Sequence, residues 1–117
     1  MDTVSDSTTK KEVIDRKQIA IDFANSLNHP EIERIVLFGS VARGDDDEES
    51  DIDILIITKK ENDDLKIRKD IYNRVFNILM SIGERISIKM RHLNQYNSHI
   101  DFPFYMDIEK DGIVLKS

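Results

Sequence analysis

The chain has 117 residues, 39% of them hydrophobic and 34% charged, which suits one small domain with a real core under a heavily charged surface. A net charge of −6, with no basic block and few aromatics, argues against an extended nucleic-acid interface, which needs clustered lysine and arginine. The chain has no cysteine, which excludes disulfides and thiolate metal sites, and no apolar run approaches the roughly 20 residues that span a membrane.

Residues 1–8 are polar and read as a disordered tail, leaving 9–117 as a single domain. The opening MDTVSDSTTKKEV lacks the apolar centre of a signal peptide, so a cytoplasmic location is expected. Thr9-Lys10-Lys11-Glu12 has the form of a capping box. Val13, Ala20, Phe23, Ala24 and Leu27 then recur at helical spacing, which predicts a helix from Lys10 to Asn28, ended by His29-Pro30. Ile35 to Phe38 is apolar without alternation, as a strand covered on both faces should be. It runs into Gly39-Ser40, where the chain can turn tightly and begin a helix.

Asp45, Asp46, Asp47, Glu48 and Glu49 follow and read as a flexible, solvated connector. Asp51 to Thr58 predicts a second strand. Asn62 can cap a second helix, whose stripe is Ile71, Val75, Ile78 and Ile82, and Gly83 is placed to stop it. Ile86 to Met90 alternates cleanly as a half-exposed strand. Pro103 to Lys110 predicts a last short helix, with Gly112 before a terminal strand Ile113 to Leu115. The order points to an α/β (α+β) fold, a small mixed sheet flanked by helices.

Two stretches carry chemistry. Gly39 lets the backbone approach a ligand closely, Ser40 brings a hydroxyl to free N–H groups at a helix start, and Arg43 adds a cation, together a favourable place for phosphate. Gly-Ser before a helix is also an ordinary strand-to-helix turn. In Asp51-Ile52-Asp53, residues two apart on a strand point to the same face, so the two carboxylates project together. Two partly buried acids so close call for a cation between them, and Mg²⁺ is commonly held by one or two carboxylates with phosphate and water. An isolated Asp-x-Asp can equally cap a strand and face water.

Taken together, Gly39-Ser40-Val41-Ala42-Arg43-Gly44 and Ser50-Asp51-Ile52-Asp53-Ile54 resemble the signature of the DNA polymerase beta nucleotidyltransferase superfamily, most closely its minimal nucleotidyltransferase branch. The resemblance implies a polymerase beta palm-like fold. It implies that Asp51 and Asp53 are the catalytic pair and hold Mg²⁺, with Mn²⁺ as a substitute, and through it a nucleoside triphosphate, ATP first among candidates. Gly39 and Ser40 would hold the terminal phosphates with help from Arg43, while an acceptor hydroxyl attacks the α-phosphate and pyrophosphate leaves. Many members of the minimal branch are encoded beside an all-helical HEPN-type protein and act as its antitoxin, some by transferring AMP to it.

The sequence departs from that pattern at one place. Many superfamily members carry a third carboxylate on the next central strand, whereas here the open face of that strand shows Ser87, Lys89 and Arg91. Three explanations stand: Glu84, Asp101 or Asp107 enters from outside the strand, the protein works with two carboxylates and slower chemistry, or the chain is a catalytically degenerate nucleotide- or partner-binding module. His29, His92 and His99 have no ligand spacing and read as surface residues, and Tyr72 and Phe76 read as core rather than a base-stacking platform. The chain is too short for the extra domains of a templated polymerase, so selectivity is expected from a partner, a homo-oligomer or a small acceptor.

Overall fold

The computed structural model describes residues 14–60 and 65–117. The Thr9–Glu12 box, the residue 1–8 tail and the Asn62 cap lie outside the described residues. Helix α1 (Arg16–Ser26) does not begin at Lys10: Asp15 is its extended N-cap, and its carboxylate accepts the Gln18 N–H at 3.0 Å. Ala20, Phe23, Ala24 and Leu27 are buried as the spacing requires.

Strand β1 (Ile32–Phe38) runs into a one-turn helix α2 (Gly39–Arg43), and the acidic connector leads to β2 (Ile52–Thr58). Helix α3 (Leu65–Ile82) crosses to β3 (Ile86–His92), followed by α4 (Leu93–Ser98), α5 (Pro103–Asp111) and β4 (Ile113–Lys116). Helix α4 was not foreseen, because LNQYNS offers a single apolar turn around Tyr96 and no periodic stripe.

The four strands form one mixed sheet in the order β3-β2-β1-β4. β1 is antiparallel to β2 and β4, and β2 is parallel to β3. Both central strands are covered on both faces. Ile35, Leu37, Ile52, Ile54 and Ile56 pack under α1 and α3, while Val36, Leu55 and Ile57 pack against Tyr96, Tyr105 and Ile108 of α4 and α5. Continuous apolar runs in the sequence become two cores in space, since alternate side chains leave a strand on opposite sides.

Three expectations need correction. Tyr72 and Phe76 are not core: they are 44% and 57% exposed, because the buried side of α3 is set by Ile67 and Ile71. The histidines are half-buried and engaged. His29 meets Asp70 at 2.7 Å, His92 meets the Thr58 hydroxyl at 3.2 Å, and His99 bonds the Gln95 carbonyl at 2.8 Å. Asp70 also accepts from Arg74, so its carboxyl is held below the usual range, first by His29.

The acidic connector, although mostly exposed, is clamped rather than loose. Arg16 at the start of α1 donates to Asp46 at 3.0 Å, to the Asp47 carbonyl at 2.6 Å and to Glu84 at 2.7 Å. Ser50 and the Glu49 N–H close a turn on the Asp47 carboxylate. Glu84 is itself buried, so losing Arg16 strands a carboxylate away from water. Arg16→Ala is therefore expected to cost about 2 kcal/mol, read as a lower urea midpoint at unchanged slope. A change within about 0.5 kcal/mol would show that Glu84 simply reorients to solvent.

Candidate active site

The register of β1 and β2 builds the site. Phe38, the last residue of β1, pairs with Asp53, so the turn that follows lands on the Asp53 side chain. Gly39 takes φ +76°, and a Cβ there would run into Asp53 Oδ2 and lie 3.1 Å from its Cγ. Only glycine permits both the left-handed backbone and the close approach. Val41 and Ala42 pin α2 into the larger core, which leaves Ser40 and Arg43 on its outer side. Gly44, at φ +82°, ends the helix and returns its N–H to the Ser40 and Val41 carbonyls.

Asp51 and Asp53 flank Ile52, which is fully buried beneath α1 and α3. Asp53 stands on the opposite face, in line with Leu55 and Ile57, and is half-buried. Burial, and then the neighbouring Asp51 charge, push its carboxyl above the usual range, opposed by Lys89 and Arg43. The two acids differ in their partners. Asp51 Oδ1 accepts from Arg85 Nε at 2.8 Å, whereas the Asp53 carboxylate makes no ion pair among the described residues, only feeling the charges of Lys89 and Arg43. Arg43 is turned to Asp45, at 3.2 Å.

The residues sequence reasoning singled out thus divide clearly. Gly39, Asp51 and Asp53 are brought together, with Ser40 and Arg43 on the adjoining turn. Ser87 is the parallel register partner of Asp53, the position where a third acid would stand, and Lys89 follows it on the same face. Arg91 lies further along the same face, where α5 covers it. It donates to the Tyr105 hydroxyl at 3.0 Å and lies 5.6 Å from the Phe104 ring centre. Glu84 is held by Arg16, and Asp101 and Asp107 are exposed on or beside α5. No group of three acid, histidine or cysteine side chains that could hold a metal forms among the described residues.

Arg85 is the site residue that sequence reasoning missed. Its carbonyl accepts the Ile52 N–H at 2.9 Å, which places it beside Asp51. That neighbourhood follows from the parallel pairing of β2 and β3, and no local pattern encodes it.

The donor set fits one divalent cation. Two carboxylates at a strand start are a common oxygen-ligand set, and the neighbouring Asp51 charge helps to hold the Asp53 carboxyl high. Against Asp53 lies a bare glycine, leaving room where a Cβ would intrude.

Comparison with known proteins points the same way. The family described as "Polymerase beta, Nucleotidyltransferase" matches residues 17–117. Two proteins of Methanocaldococcus jannaschii are similar in sequence. "Putative protein adenylyltransferase MJ0604" is 33% identical over 97 residues, covering 80% of this chain and 91% of that protein. "Putative protein adenylyltransferase MJ0141" is 38% identical over 85 residues, covering 70% and 77%. Among solved structures, a nucleotidyltransferase from Sulfolobus solfataricus, itself titled putative, shares the fold at TM-score 0.50 and 19% identity, covering 88% of this chain and 87% of that one. A structure titled "Crystal structure of the toxin-antitoxin with AMP-PNP" matches at TM-score 0.52 and 19% identity, covering 87% and 73%. From residue 17 onward, the chain belongs to the polymerase beta nucleotidyltransferase family and is a nucleotidyltransferase domain.

Proposed function

We propose that the protein transfers an adenylyl group from ATP to a hydroxyl on a protein partner, acting in the cytoplasm as the antitoxin of a toxin-antitoxin pair. The observation that carries this reading is the packing of the Gly39 turn onto Asp53, with Asp51 beside it. Two relatives are named for protein adenylylation, and a protein of the same fold was solved as a toxin-antitoxin assembly with AMP-PNP. A HEPN-type toxin is the partner proposed. A homo-oligomer would be a second way of supplying the acceptor surface that so small a domain lacks.

In this reading Asp51 and Asp53 would hold Mg²⁺, or Mn²⁺ in its place, which when bound would supply the positive charge that offsets the triphosphate. Gly39 lets the phosphate chain lie against the backbone, Ser40 donates its hydroxyl, and Arg43 leaves Asp45 to bind a phosphate oxygen. The acceptor oxygen bonds to the α-phosphorus, the bond to the β-phosphate oxygen breaks, pyrophosphate departs and the hydroxyl proton passes to solvent. Lys89 adds positive charge on the face that carries Asp53.

The test is incubation with ATP labelled at the α-phosphate, Mg²⁺ and the protein product of the neighbouring gene. Label should appear on the acceptor and be absent with Asp53→Asn. No transfer to any acceptor, together with full neutralisation of the toxin by Asp51→Asn and Asp53→Asn, would overturn the catalytic reading. That result would favour the second reading, a degenerate module that binds nucleotide or partner, for which Ser87 opposite Asp53 is the supporting observation.

A further inference from the structure

We infer that Arg85 is the resident counter-ion of Asp51 and competes with the divalent cation for that carboxylate, so that Arg85 sets the affinity of the site for its metal. The inference rests on the cation-binding reading above and concerns a residue outside the motif. Arg85 stands immediately before β3, and its carbonyl is fixed to the Ile52 N–H at 2.9 Å. From that anchor the guanidinium reaches Asp51 Oδ1 at 2.8 Å and the Glu49 carbonyl at 3.3 Å. It therefore touches both the first acid of the pair and the loop that leads into it.

The pairing answers the problem that two adjacent acids pose without a metal. Asp51 has a counter-ion supplied from within the chain, at 2.8 Å, and Asp53 has no such partner among the described residues. The pair is weak enough to exchange. Both side chains are well exposed, at 59% and 42%, and ion pairs so wetted add little to stability. A divalent ion bridging two carboxylates outcompetes one solvated guanidinium, yet each binding event first has to break the Arg85 contact. Arg85 is thus a positioning residue: it orients Asp51 in the empty site and raises the metal concentration needed to fill it.

The experiment is a titration of the full chain with Mn²⁺, followed by electron paramagnetic resonance, without nucleotide. Arg85→Gln is expected to bind Mn²⁺ about three- to fivefold more tightly than the natural protein, a gain of about 0.7–1 kcal/mol at the standard conversion of roughly 1.4 kcal/mol per tenfold. Arg85→Lys, which keeps the charge but loses the fork, should fall between the two. In an Asp51→Asn background the Arg85→Gln change should have no effect, since the group competed for is gone. A merely structural role would weaken metal binding in Arg85→Gln and would persist in that background. Unchanged or weaker binding by Arg85→Gln overturns the inference while leaving the cation site standing. Absence of Mn²⁺ binding in every variant overturns both.

Discussion

Asp53→Asn should abolish nucleotidyl transfer, by about a thousandfold or more, and at the same time make the empty protein more stable. The first effect comes from removing a carboxylate from the proposed cation site. The second follows from the raised Asp53 carboxyl, whose largest cause is burial and whose next is Asp51. An acid whose folded-state pKa lies above its unfolded value binds its proton more tightly when folded. Ionising it therefore costs stability, a cost that grows as pH rises from the ordinary value of 3.8 through the raised one and is constant above it. At neutral pH the melting temperature of Asp53→Asn should exceed that of the natural protein by about 2–4 °C, since Asp53 is only half-buried. The difference should vanish below about pH 4, where both proteins carry a neutral group. Scanning calorimetry at two pH values, without metal, checks this. A variant less stable at pH 7 would show that the two acids are not in conflict. By the same sign, cation binding should fail on acidification at a pH above the ordinary aspartate range.

Gly39→Ala should be among the most damaging single-methyl changes in the chain, costing about 3 kcal/mol, whereas Gly44→Ala should cost about 1 kcal/mol. Both glycines have positive φ, at +76° and +82°, so the backbone penalty is shared. They differ in surroundings: a Cβ at Gly44 meets open space, while one at Gly39 collides with the Asp53 carboxylate. The extra cost at Gly39 comes from displacing Asp53 from its place beside the turn. Transfer activity should therefore fall far more in Gly39→Ala than in Gly44→Ala, even at temperatures where both are folded. Equal losses of activity would mean that the close approach of turn and acid is incidental. Urea denaturation and labelled-ATP transfer on the two variants decide it.

Much of this was legible in the sequence because it is local. Gly39, Ser40, Arg43, Asp51 and Asp53 lie within fifteen residues spanning the end of one apolar strand and the start of the next, and period-2 geometry puts both acids on the face opposite Ile52. The buried stripe of α1 followed from spacing, as did the ending of α3 at Gly83, with φ +75°. What was hidden depends on pairing between distant segments. Nothing near Arg85 marks it as a partner of Asp51, and nothing near Arg16 marks it as a clamp on the connector. Arg91 looked available on an open strand face because the aromatic ring of Phe104 that claims it comes from α5. Tyr72 and Phe76 looked like core because aromatic residues at helical spacing usually are, and here the buried side was taken by the neighbouring isoleucines.

The placement of the site within the chain has a consequence for how the molecule tolerates change. The turn, Asp51 and Asp53 lie on the link between adjacent antiparallel strands β1 and β2 and on the first residues of β2 beyond it, the shortest-range pairing in the sheet. Their mutual geometry thus rests on one loop closure of short sequence separation, with Arg85 at the start of β3 holding Asp51 from outside it. Helices α1 and α3 and strand β4 add thermodynamic ballast to this chemical unit. Substitutions in α3 and β4 should erode the fraction of folded molecules while leaving each folded molecule active, whereas Arg16 of α1 holds the connector itself.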